Sequence, residues 1–208
     1  MKQIQKRLQQ FKEVDFLNHQ ELYEQLSNKQ EPHTLFIGCS DSRVNAELLF
    51  QALPGEIFQL RNIANIVPHV TNSDRQSSTL SVIEYAVSVL EVDTIIVCGH
   101  SNCGGCRALL GDAPKQPVPH TLHWLDQMTS LSQDVQARYN PDETDESINT
   151  VLEKLNVLEQ IKNLMSHEFI QQAVKERSFS VIASYYDIGS GHVYTNTKSN
   201  DELLELIP

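Results

Sequence analysis

Two short apolar runs in the chain end in the same abrupt way. Leu35-Phe36-Ile37-Gly38 leads into Cys39-Ser40-Asp41-Ser42-Arg43, and Thr94-Ile95-Ile96-Val97-Cys98 leads into Gly99-His100-Ser101-Asn102-Cys103-Gly104-Gly105. Apolar, β-branched runs of this length bounded by glycine and polar residues read as strands. Around them the period lengthens: Ile4, Leu8 and Phe11, then Phe16 and Leu17, then Leu22, Tyr23 and Leu26 recur at helical spacing, predicting a helical arm over residues 1–27. Pro32 blocks a helix from continuing into the first strand. Asn45 caps a short helix to Phe50 with Leu48 and Leu49 facing inward, Pro54-Gly55 turns the chain, and Ile57 to Leu60 is a short strand. Ser77 or Ser78 caps a helix to about Leu90, whose apolar stripe is Leu80, Ile83, Val87 and Leu90, leaving Tyr85 to one side.

Beyond Cys103 the pattern predicts a helix over Gly104 to Leu110, a loop to Pro119, and helices around 122–137, 148–164 and 167–175, with the acidic run 142–146 as a solvated connector. Phe179 to Tyr186 is a strand, Gly189-Ser190-Gly191 a turn, and His192 to Thr195 a returning hairpin strand. The expectation is one α/β domain over residues 1–208, with a central, mostly parallel β-sheet flanked by helices and an N-terminal helical arm. A chain of 208 residues with 40% hydrophobic content suffices for one such domain.

A net charge of −11 argues against nucleic acid, whose affinity comes largely from Lys and Arg neutralising phosphates. Neither a signal-peptide pattern nor a membrane-length apolar run occurs, so the expected location is the cytoplasm, with no membrane partner. Cys39, Cys98, Cys103 and Cys106 sit at strand ends and helix starts and are expected as reduced thiols.

The chemistry follows from the strand ends. If the two runs are neighbouring parallel strands, Cys39, His100 and Cys103 meet in the crevice where open α/β sheets place their sites. Two thiolates and an imidazole suit zinc, and three protein ligands with an open fourth position are the pattern of a catalytic site. Asp41 either takes that fourth position or hydrogen-bonds a water there, and Arg43 keeps it ionised. His120 and His123 have ligand-like spacing but no acidic or thiol companions, and read as surface. Arg61 and Asn62 are expected to emerge near the crevice, the plain alternative for Arg61 being a surface ion pair. Cys103-Gly104-Gly105-Cys106 is also a thioredoxin-type redox signature, but that rival leaves Cys39, Asp41, Arg43 and His100 without a use. A purely structural zinc leaves Asp41 and Arg43 equally idle.

Cys-x-Asp-Ser-Arg followed by His-x-x-Cys-Gly-Gly resembles the β-class carbonic anhydrases, as do Gln51 to Phe58, Arg61 to Val67 and Ser81 to Val87. The resemblance implies reversible hydration of carbon dioxide to bicarbonate and a proton by hydroxide on zinc, with Cys39, His100 and Cys103 as ligands and Asp41 and Arg43 as catalytic partners. It implies a substrate pocket of Gln30, Phe58, Ile63, Tyr85 and the Gly104 N–H, with Gln30, Phe58 and Tyr85 serving the neighbouring subunit. The assembly implied is a homodimer or dimer of dimers embraced by the arm. Related sheets with the same ligands hydrolyse other linear molecules such as carbon disulfide. Family members whose Asp closes onto the metal carry a bicarbonate pocket with a Trp where this chain has Phe36, together with an Arg at Arg61 and a Tyr at about Tyr186. Phenyl has no N–H to offer an anion, so an open site with Asp41 on Arg43 is expected.

Overall fold

The computed structural model describes residues 1–72, 77–112 and 115–196, with the backbone of 204–205. At its centre β1 (Thr34–Cys39), β2 (Ile57–Asn62), β3 (Thr94–His100) and β4 (Ser180–Tyr186) run parallel, and β5 (Val193–Thr195) and β6 (Leu204–Glu205) return antiparallel. The strand order is β2-β1-β3-β4-β5-β6. Every residue of β1 is buried, as a parallel strand covered on both faces requires. Its side chains alternate accordingly. Leu35 and Ile37 join the cluster holding Ile83, Val97, Val157, Leu164 and Ile170, while Phe36 joins Val44, Ala46 and Cys98 in another.

Helices α1 (Lys2–Gln10) and α2 (Phe16–Asn18), joined by the wider turn Phe11–Asp15, and α3 (Gln20–Leu26) form the arm, and none of these segments buries a residue. Phe11, Phe16 and Tyr23 pack on one another, with Phe16 stacked on Tyr23 at 5.2 Å. Only the arm's end is seated tightly: a Cβ on Gly55, which already needs a φ of +94°, would meet Leu26 at 2.8 Å.

Next come α4 (Ala46–Phe50), α5 (Ser78–Ser88), α6 (Gly104–Leu109), α7 (Pro119–Leu125), α8 (Thr129–Arg138), α9 (Ile148–Met165) and α10 (Glu168–Glu176). Asn45 and Ser77 cap as their sequence positions suggest, accepting from the Leu48 and Leu80 N–H groups. The expected inward Leu48 is corrected. It is 70% exposed, because α4 is so short that Ala46 and Leu49, three apart on one face, fill the contact. Helix α7 starts earlier than the periodicity suggests, since Pro119 fits a first turn whose N–H needs no partner. Helix α9 lies along β3 and β4, and no helix among the described residues is long and apolar enough to cross a membrane.

Candidate active site

The β1–β3 register aligns Gly38 with Cys98, so the two strands end nearly level and release Cys39 and His100 at the same, carboxyl end of the sheet. Cys103 follows as the residue that opens α6. The ligand atoms of Cys39, His100 and Cys103 all lie within 4.8 Å of one another, and all three residues are buried. The His100 Nδ1 sits 3.0 Å from the Ser101 carbonyl, a contact that assigns the ring proton to Nδ1. That leaves the Nε2 lone pair, buried and without a hydrogen-bond partner, facing the thiols. An orphaned imidazole nitrogen beside two sulfurs fits a metal ion.

The thiols make the same point. Hydrogen bonding to Cys103 and burial push the Cys39 thiol up to about 12, and a hydrogen bond with Cys106 leads the rise of Cys103 to about 12. Two buried thiols this close hold their protons firmly, so binding a metal ion there goes together with proton release.

Asp41 stands beside this group with Oδ2 3.9 Å from the His100 Nε2. Arg43 donates from Nε to Oδ1 at 2.9 Å and from Nη2 to Oδ2 at 2.8 Å, and its backbone N–H adds a third bond to Oδ1. This fork holds the Asp41 carboxyl well below the usual carboxylate range. Arg43 Nη2 also donates to the Asn102 carbonyl, tying the Cys39 turn to the turn that carries His100 and Cys103. In place of a plain surface ion pair, Arg61 makes something more specific: its guanidinium donates to the carbonyls of Cys39 and Asp41, from Nη2 at 2.9 and 2.6 Å.

The other expected site residues fall into two groups. Gly104 is open, with nothing within 4 Å of a Cβ built on it, and Ile63 lies next to it against Gly105. Gly104 follows Cys103 directly, so both stand beside the turn that carries this ligand. Phe58 and Tyr85 pair with ring centroids 6.1 Å apart, but Phe58 is level with Leu35 while Asn62 is level with Cys39. Four residues of strand put Phe58 about 13 Å from the end that carries the ligands. Gln30 precedes β1 and is exposed at the opposite end. The fold thus gathers Cys39, Asp41, Arg43, Ile63, His100, Cys103 and Gly104, and leaves Gln30, Phe58 and Tyr85 away from this chain's own centre.

The family model described as carbonic anhydrase matches residues 34–193, a stretch containing both ligand turns. The chain belongs to the carbonic anhydrase family. The carbonic anhydrase of Helicobacter pylori is 32% identical over 188 residues, covering 89% of this chain and 85% of that one. Among solved structures, the β-carbonic anhydrase CcaA superposes with a TM-score of 0.90 at 32% identity, over 100% of this chain and 92% of that chain. The structures of two tetrameric β-carbonic anhydrases from Sordaria macrospora give 0.79 at 31%, over 95% and 98%. With this likeness, the chain is a carbonic anhydrase of the β class.

One group in this carbonic anhydrase escaped the sequence reading. Helix α9 carries Glu153, Asn156 and Gln160 on its buried face. Asn156 donates to the Ala64 carbonyl, Gln160 accepts from the Val67 N–H and donates to Asn156, and Asn163 donates to the Val67 carbonyl. This ladder holds the segment after β2, in which Ala64 and Asn65 take left-handed φ values of 61° and 48°. Glu153 accepts from the Cys103 N–H at 2.6 Å. The available signal was the set of polar residues at helical spacing within an otherwise apolar stripe.

Proposed function

We propose that this carbonic anhydrase converts carbon dioxide and water reversibly to bicarbonate and a proton at a zinc ion held by Cys39, His100 and Cys103. The observation that carries the reading is the convergence of two buried thiols on an unpartnered imidazole Nε2. That donor set favours zinc over the harder cations. Bound there, zinc supplies a Lewis acid that brings the pKa of a water ligand towards neutrality.

The remaining work belongs to the chain. Asp41 Oδ2 is placed to accept a hydrogen bond from the attacking water and so aim its lone pair at the substrate carbon. Arg43 keeps Asp41 charged and in position, its two-bond fork leaving the carboxylate little freedom to turn. Ile63 offers an apolar wall suited to an uncharged linear molecule, and Gly104, uncrowded at its Cα, lets a substrate oxygen approach its backbone N–H.

Gln30, Phe58 and Tyr85 are proposed to complete the site of a neighbouring copy. Two observations support this: the strand register keeps them from their own chain's thiols, and the arm presents Ile4, Leu8, Phe11, Val14 and Leu17 uncovered. Apolar stripes of that kind mark interaction surfaces. A homodimer or a dimer of dimers would cover the stripe, and the Sordaria proteins are tetrameric. Four buried, free cysteines suit a reducing compartment such as the cytoplasm.

Metal analysis and stopped-flow hydration of purified protein test the proposal. The expected result is about one zinc per chain and hydration that disappears when zinc is stripped and returns when it is restored. Full activity without zinc would overturn it. Zinc with carbon disulfide hydrolysis and no hydration would change the substrate.

A further inference from the structure

Glu153 is a carboxylate at 1% exposure on a helix whose neighbouring buried positions include Leu152, Val157 and Leu164. Burial pushes its pKa up, and an acid in such surroundings persists only where its oxygens are bonded. They are. Oε1 accepts from the Cys103 N–H and from Asn149 Nδ2, both at 2.6 Å, and Oε2 takes the Tyr185 hydroxyl at 2.9 Å. Two of these partners are side chains of the surrounding core. The third is the backbone of a metal-ligand candidate, reached across 50 residues of sequence.

Cys103 opens α6, and its N–H precedes the helix's own hydrogen bonds. With the residue only 2% exposed, water is no substitute partner, and without Glu153 this N–H is stranded in the core. The turn can recover a partner only by moving, and the Cys103 sulfur moves with it. Arg61 grips the Cys39 carbonyl in the same manner on the other ligand turn. The two sulfurs are therefore each fixed through their own backbone.

We infer that Glu153 is a positioning residue for the metal centre, acting through its acceptor bond to the Cys103 N–H. This rests on the zinc reading above. The role is geometric: Oε1 accepts whether or not the acid is ionised, and a glutamine oxygen can replace it, with the amide nitrogen turned to the Tyr185 oxygen. Leucine fills the same space and accepts nothing. A merely structural Glu153 would make leucine cost stability, through the Asn149 and Tyr185 groups left unpaired, without changing zinc affinity or ligand geometry.

The test compares Glu153→Leu and Glu153→Gln by zinc affinity in chelator competition and by the visible absorption of the cobalt(II)-substituted protein, which reports ligand geometry. Glu153→Leu is expected to weaken zinc binding about 10- to 100-fold and to shift the cobalt bands, while Glu153→Gln keeps both close to the unaltered chain. Unchanged affinity and bands in Glu153→Leu overturn the inference, and Glu153→Gln as damaged as Glu153→Leu replaces the acceptor role with one of charge. Should the leucine chain not fold, nuclear magnetic resonance of the zinc-loaded unaltered protein decides. The Cys103 amide proton is expected far downfield and slow to exchange, as a short bond to a carboxylate requires; an ordinary shift with fast exchange overturns the role. An unaltered chain without zinc overturns this inference together with the zinc reading, whereas stoichiometric zinc and an indifferent Glu153→Leu overturn the role of Glu153 alone.

Discussion

Arg43 holds both carboxylate oxygens of Asp41, at 2.9 and 2.8 Å, on a turn that sets Oδ2 3.9 Å from the His100 Nε2. An orienting pair of this kind contributes to rate more than to metal retention. Arg43→Ala and Asp41→Asn are each expected to lower hydration about 10- to 100-fold, with zinc retained in Arg43→Ala and the circular dichroism unchanged. A fully active Arg43→Ala enzyme with normal zinc would remove the assigned role.

The same pair gives a pH signature. The folded pKa of Asp41 is depressed by Arg43, so its contribution to stability is complete above the ordinary aspartate value near about 3.9 and is lost as pH falls through the lower folded value. The Tm difference between wild type and Arg43→Ala should hold steady from neutral pH down to about 4 and shrink on further acidification. Both chains are compared as metal-free protein, so zinc loss in acid does not enter the difference. A Tm gap that closes between pH 7 and 5 would point to some other group.

Cys103 and Cys106 separate metal chemistry from thiol redox chemistry. Cys106 is buried with Cys39, Ala64, Cys103 and Leu125, but the group that converges within 4.8 Å is Cys39, His100 and Cys103. Cys106→Ser should keep zinc and activity, and Cys103→Ser should lose both. Loss of activity in Cys106→Ser with zinc still bound would restore the redox reading.

Subunit mixing tests where Gln30 acts. Cys103→Ser chains lack the metal and Gln30→Ala chains lack a pocket residue, so each homodimer is expected to be nearly inactive. If Gln30 serves the neighbouring centre, hybrid dimers contain one pairing with both elements intact, and mixing should recover part of the wild-type rate. No recovery despite demonstrated exchange would mean that each chain builds its pocket alone.

Phe36 bears on the fourth metal position. Its ring is fully buried against Val44, Ala46, Cys98 and Tyr186, edge-on to Phe50, and so close under Gly38 that a Cβ there would meet it at 2.4 Å. The space is apolar and filled. Bicarbonate should therefore inhibit hydration hyperbolically, and crystals at pH about 6 and about 8.5, either side of a zinc-water pKa near 7, should both keep Asp41 on Arg43. Sigmoidal inhibition, or Asp41 on the metal at the higher pH, would contradict this.

The strands and ligands were readable because both leave local marks: an uninterrupted apolar run for β1, and cysteine and histidine at its end and at the end of β3. Caps were equally local at Asn45 and Ser77. Leu48 was misread because helical periodicity does not say how short a helix will be, and five residues offer one narrow face. Glu153 and the partners of Arg61 were missed for another reason. The partners concerned are main-chain groups of Cys39, Asp41 and Cys103, at 22, 20 and 50 residues' separation, and a backbone N–H or carbonyl has no letter in the sequence. Gln30, Phe58 and Tyr85 were named through the family resemblance alone, and within one chain the register keeps Phe58 away from the ligands.

The backbone tethers on Cys39 and Cys103 also divide loss-of-function variants into two kinds that an organism would experience differently. On the proposed zinc centre, damage at Glu153 is expected to weaken occupancy of an otherwise competent site, and occupancy obeys mass action, so a richer zinc supply would compensate for it. Damage at Arg43 is expected to leave the ion in place and the attack misdirected, and no amount of zinc in the growth medium would help. Supplementation could therefore sort inherited defects in this enzyme into nutritional and irreparable ones before any protein is purified.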